Sequence, residues 1–155
     1  MSERSVLKYS VSQEGWDKKI FKTELQPDSM AAGRWETAQG GEYFAAGVGG
    51  AITGRGADLL IIDDPHSEQD AMNLTALERA YEWYTSGPRQ RLQPGGAIVV
   101  VMTRWNMKDL TGMLLKSQKE LKSDKWEIIE FPAIMPSGKP VWPEYWDKKE
   151  LEGVK

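Results

Sequence analysis

Two adjacent carboxylates, Asp63 and Asp64, follow the aliphatic run Leu59-Leu60-Ile61-Ile62 and precede Pro65. Hard oxygen ligands of this kind suit Mg2+. One acid can hold the ion, usually through water, while the next orients or activates the water that attacks a γ-phosphate. The run before them is too short for an ordinary helix and too apolar for a half-exposed strand. It reads as a strand buried on both faces, in the middle of a parallel sheet. Acids at the C-terminal lip of such a strand stand where open α/β sheets bind ligands, which is the position of a Walker B segment. The plainer reading of the same residues is a buried strand that stops at a polar turn, with Pro65 as the stop.

A second aliphatic run, Ala97-Ile98-Val99-Val100-Val101-Met102, ends at Thr103-Arg104-Trp105. Its β-branched content makes it the best strand in the chain. In a parallel sheet both runs end at the same edge, so Asp63, Asp64, Thr103 and Arg104 converge on one crevice. A polar tip beside the acids can sense a γ-phosphate and pass its loss to a moving element. Arg104 either serves that crevice or closes an ion pair with Asp63 or Asp64. The segment from Gly49 to Gly56 has the spacing of a phosphate loop, but Arg55 replaces the lysine and Gly56 the hydroxyl. A phosphate loop must also run into a helix, whereas the next element here is the strand from Leu59. The glycines therefore read as a mobile connection that presents Arg55 to phosphate or DNA, or leaves it as a solvated charge. His66 is the single histidine in a chain without cysteine, so a zinc site is not expected, and it is assigned to the turn after Pro65. Arg34, Arg89 and Arg91 are further candidates for DNA phosphates.

These residues need a scaffold. The pattern predicts a helix over residues 13–24 with Trp16, Ile20 and Phe21 on one side, limited by Pro27. A strand is expected over 42–48, then the strand from Leu59 to Asp63. Leu74, Leu77, Tyr81 and Tyr84 recur at helical spacing within one helix over 68–84, ended by Ser86-Gly87-Pro88. After the turn Pro94-Gly95-Gly96 comes the second aliphatic strand. Asn106 reads as a helix cap with Asp109 in a capping-box position, and Leu110, Met113, Leu114, Ser117 and Leu121 give the helix face. Residues 126–131 form a third strand candidate, closed by Pro132. Helix crossovers between buried strands imply a parallel α/β sheet.

The 155 residues fit one domain. A net charge of −3 gives no global footprint for nucleic acid, so any DNA contact must be local. The lack of cysteine excludes disulfides and thiolate metal sites and suits a reducing cytosol. No apolar stretch approaches a membrane span, and the N-terminus lacks a signal-peptide core. Seven tryptophans favour packing over base stacking.

Taken together, Trp35-Glu36-Thr37, the run from Gly40 to Gly50, Thr53-Gly54-Arg55-Gly56-Ala57-Asp58, the strand end Asp63-Asp64-Pro65-His66 and the strand end Thr103-Arg104-Trp105 resemble the large terminase subunit of tailed bacteriophages. Pro132-Ala133-Ile134 and Trp142-Pro143-Glu144 also resemble the end of that family's ATPase module. The resemblance runs from about Phe21 to Leu151. It implies a partial P-loop NTPase of the additional-strand type, with a mostly parallel central sheet flanked by helices. It also implies ATP-driven packaging of double-stranded DNA into procapsids, in the host cytoplasm during phage assembly. On this pattern Asp63 matches the Mg2+-binding acid and Asp64 the catalytic carboxylate, with both near the metal. Thr103 matches the coupling residue, Arg104 stands beside it, and Arg55 is assigned to the nucleotide. ATP and its Mg2+ are the implied cofactors, expected only with a Walker A segment, and the portal protein and small terminase subunit the implied partners besides DNA.

The chain departs from the family in lacking a Walker A loop upstream and a nuclease domain downstream. After Thr103-Arg104-Trp105 many relatives carry a His and paired acids, whereas here Asn106 and Lys108 stand in that region and only Asp109 is retained. Residues 1–135 then correspond to a partial ATPase domain and 136–155 to a linker or docking tail. The expectation is a fragment, a split gene product or a relic, which hydrolyses ATP negligibly alone and needs either self-association or a Walker A-bearing partner chain. Two other readings remain. One is a metal-dependent nuclease using Asp63 and Asp64 with a further acid from Glu42, Asp70 or Glu130. The other is a non-catalytic module that docks on DNA or portal.

Overall fold

A computed structural model of the chain describes residues 24–31, 33–50, 52, 54–120 and 123–153. The chain divides into two compact units, Met1–Met113 and Leu114–Lys155. In the first, β1 (Leu25–Ala31), β2 (Arg34–Thr37) and β3 (Glu42–Phe44) form an antiparallel sheet in that order. A second sheet pairs β4 (Ala57–Asp63) in parallel with β5 (Leu92–Val101). Two helices, α1 (Glu68–Ala71) and α2 (Leu74–Ser86), and a 3-10 turn over Pro88–Arg91 make the crossover between them. The protein is therefore α/β. The expected mostly parallel sheet is, among the described residues, one parallel pair beside a separate antiparallel sheet.

Local chemistry explains where the elements depart from their expected bounds. Residues 13–23 of the expected first helix lie outside the described residues. β1 contains Pro27, which is tolerated because β1 is an edge strand; the ladder with β2 is irregular between Leu25 and Met30. The strand expected over 42–48 stops at Phe44, and the chain then turns, with Gly49 at φ +80° and the Gly50 N–H bonded to the Gly47 carbonyl at 2.8 Å. The helix expected over 68–84 is two helices. Ser67 and Asp70 form a reciprocal capping box on α1, and Asn73 starts α2 afresh, its Oδ1 accepting the Thr75 and Ala76 N–H groups at 3.1 and 3.3 Å. The Ser86-Gly87-Pro88 stop holds. The Pro94-Gly95-Gly96 turn is an excursion inside β5: Ala57 pairs with Leu92 but Leu59 with Ala97.

In the first unit Ile62, Leu77, Ala80, Tyr84 and Leu110 form the buried apolar set among the described residues, and Leu114 is buried in the second. β4 is not buried on both faces as its composition predicts. Ile62 is 4% exposed, but Ile61 is 58% exposed, and Leu59, Val99 and Val101 are open with it. Side chains alternate along a strand, and the described residues cover only one face of the pair.

In the second unit, residues 126–131 do not form a strand. A strand is a pairing property, and no described segment pairs with these residues; the Trp126 N–H instead reaches Gln118 Oε1 at 3.2 Å. A tight turn at Gly138 (φ +78°) closes a single bridge between Ile134 and Pro140. Trp142 stacks on Tyr145 at 5.0 Å, with Trp146 edge-on to Tyr145. Asp147 and Glu150 cap the final helix (Lys148–Gly153) reciprocally. No helix among the described residues is long and apolar enough to cross a membrane.

Candidate functional site at the tips of the parallel strands

The parallel register pairs Ile62 with Val100 and Asp63 with Val101. The Asp64 N–H extends this ladder by donating to the Val101 carbonyl at 2.9 Å. The acids thus top one strand directly beside the strand that leads through Met102 to Thr103, as the two aliphatic runs predict. Both acids and Thr103 are exposed. Among the described residues neither carboxylate is engaged by a hydrogen bond or ion pair, which leaves their oxygens open to a cation. Asp64 has φ +43° and is the only non-glycine described with a positive φ. The residue before a proline is ordinarily held in extended conformations, so this backbone is unusual twice over.

Arg104 does not pair with Asp63 or Asp64. Its Nε donates to Asp109 Oδ2 at 3.2 Å and its Nη2 to the Asn106 carbonyl at 3.4 Å. Asp109 is fully buried. Its Oδ2 also accepts the Trp105 and Asn106 N–H groups at 3.0 and 3.1 Å, and its Oδ1 the Gly112 N–H at 2.8 Å. Burial alone would raise the Asp109 pKa. The Gly112, Asn106 and Trp105 N–H groups and the Arg104 guanidinium together outweigh it and hold the carboxyl below its ordinary value. Asn106, expected as the helix cap, instead folds the preceding turn by accepting the Lys108 N–H at 3.0 Å. Asp109 caps α3 (Leu110–Ser117).

The first N–H of α3 has no partner within its own helix. It is taken by His66: the Leu110 N–H donates to His66 Nε2 at 2.9 Å, in a buried setting. His66 therefore accepts through an unprotonated Nε2 and carries its hydrogen on Nδ1. Burial lowers its pKa, against the opposing pull of the Asp109 and Asp70 carboxylates. Sequence reading placed His66 in a turn and missed this tie, because nothing local links positions 44 residues apart. The only available signal was the place of the single histidine, two residues beyond the acids.

Arg55 is not a free loop charge. It pairs with Glu42 on β3, which also accepts Arg34 Nε at 3.0 Å, and lies 4.3 Å over the Phe44 ring. The segment from Gly49 to Gly56 leads into β4, a strand, so its phosphate-loop spacing is a coincidence, as expected. Of the further acids considered for a nuclease, Glu42 is held by two arginines, Asp70 serves the Ser67 cap and Glu130 lies in the second unit. Among the described residues no three His, Cys, Asp or Glu side chains gather as a metal-holding group. No family model, curated protein or solved structure matches the chain.

Proposed function

We propose that the chain is the Walker B-bearing part of a packaging ATPase of the phage large-terminase type, with Asp63 and Asp64 serving Mg2+-ATP and Thr103 coupling hydrolysis to motion. The observation that carries this reading is the parallel register: two unengaged carboxylates end β4 directly beside the tip of β5. When bound, Mg2+ would supply neutralisation of phosphate charge. Asp63 would hold the ion with Asp64 beside it, Asp64 would also orient the attacking water, and the Thr103 hydroxyl would report the state of the phosphate. Arg104 steadies the Thr103 segment through Asp109, and Arg55 approaches nucleotide only on release from Glu42. DNA, portal protein and small terminase subunit are the partners this function requires, and the P-loop fold is completed by a Walker A-bearing segment.

The test uses Mn2+ as a paramagnetic probe. It should broaden the amide signals of residues 62–64 and 102–104 in the full chain, and Asp63→Ala should abolish the effect. Purified chain alone should hydrolyse ATP no faster than buffer, and a Walker A-bearing segment added in trans should restore turnover. Broadening that spreads over unrelated acids, or that survives Asp63→Ala, removes the reading.

A further inference from the structure

His66 is buried, titratable and unused by the chemistry assigned to the strand tips. It stands two residues beyond Asp64, on the loop that leaves β4, and its single described hydrogen bond reaches the first residue of α3. That helix begins six residues after Arg104, and its start is fixed from the other side by Asp109. The Asp109 carboxylate gathers the Trp105, Asn106 and Gly112 N–H groups and the Arg104 guanidinium. The loop after β4 and the loop after β5 are thus each anchored to the same helix N-terminus, one by an imidazole nitrogen and the other by a carboxylate. Gly112 seals this knot. A Cβ there would overlap the Met107 carbonyl and stand 3.2 Å from Arg104 Nη2.

We propose that His66 is a positioning residue: by accepting the Leu110 N–H it latches the Asp63–Asp64 loop to the helix that carries the Thr103–Arg104 segment, so the two strand tips keep one relative placement. The hydrogen bond lies away from the ladder between β4 and β5, which fixes the strands but not the loops beyond them. In the packaging-ATPase reading, on which this role rests, the latch makes the acids and the coupling hydroxyl move as one unit.

Two substitutions separate this role from mere packing. His66→Gln offers Oε1 as a replacement acceptor, whereas His66→Ala removes the acceptor. Amide hydrogen exchange on the full chain reads the latch without any activity. The Leu110 amide should exchange about tenfold faster in His66→Ala, the size expected for loss of one buried hydrogen bond, and return to within about twofold of wild type in His66→Gln. The Asp64 and Thr103 amide resonances should shift together in His66→Ala and recover in His66→Gln, while the β4 and β5 amides stay protected. Equal Leu110 exchange in all three proteins overturns the latch, as does a folded His66→Gln that fails to protect Leu110. Recovery of Leu110 without movement of Asp64 and Thr103 overturns the positioning role. Mn2+ broadening measured in parallel tests the ATPase reading separately. Its absence in wild type removes that reading and leaves the exchange results to judge the latch.

Discussion

Asp64 adopts a backbone conformation that its own Cβ and the following Pro65 both disfavour. Such geometry costs on the order of 1–3 kcal/mol and persists only where the surroundings impose it. Here the Val101 carbonyl takes the Asp64 N–H. Asp64→Gly should leave urea stability equal or higher, because glycine accepts a positive φ freely, while Asp64→Val should lower it by about 1–2 kcal/mol. Both should weaken Mn2+ broadening at the strand tips without abolishing it, since Asp63 remains, which separates the backbone role from that of the carboxylate. Asp109 is the opposite kind of acid, buried and fully engaged. Asp109→Ala strands three N–H groups and a guanidinium and should cost about 2–4 kcal/mol in denaturant titration. Its depressed native pKa also sets a sign. Below the ordinary carboxylate value the unfolded chain takes up a proton before the native one does, so stability falls as pH drops toward the native value. That acid loss should shrink in Asp109→Asn.

At the scale of elements, caps decide where helices begin. Asn73 divides a continuous helical pattern because its side chain accepts two N–H groups that the next helix cannot satisfy itself. Asn73→Ala should therefore cost about 1 kcal/mol, read as a lowered urea midpoint. Gly112→Ala should disturb the start of α3, because the added methyl meets backbone at Met107 rather than a flexible side chain. Loss of protection at the amides of position 112 and Trp105, with β4 and β5 unchanged, is the expected exchange pattern. The alternation of the β4–β5 pair makes a sharper contrast. Ile62→Ala empties a buried site and should cost about 2–5 kcal/mol, whereas Leu59→Thr and Val99→Thr on the open face should each cost less than about 1 kcal/mol. Equal losses at Ile62 and Leu59 would mean that the open face is covered in solution.

Across the whole molecule, each part was legible in sequence to the extent that it depended on neighbours in the chain. The aliphatic runs identified β4 and β5, and the positions of their polar ends placed Asp63–Asp64 and Thr103 at strand tips. The Ser86-Gly87-Pro88 stop and the glycines that lead into a strand rather than a helix were equally local signals, governed by backbone freedom and hydrogen-bond capacity. Contacts between distant residues could not be read in this way. Arg104 chose Asp109 over the acids beside it in the expected crevice, Arg55 chose Glu42, and residues 126–131 found no strand to pair with among the described residues. His66 reached Leu110 because the parallel ladder brought the two strand ends to one edge. The sequence by itself determined β4, β5, the polar residues at their ends and the helical character of residues 74–86, since propensity, alternation and turn chemistry act over a few residues. Only the tertiary structure decided which face of β4 is covered, which charges pair and which loop is tied to which helix. Those outcomes depend on distances between segments that no local pattern encodes.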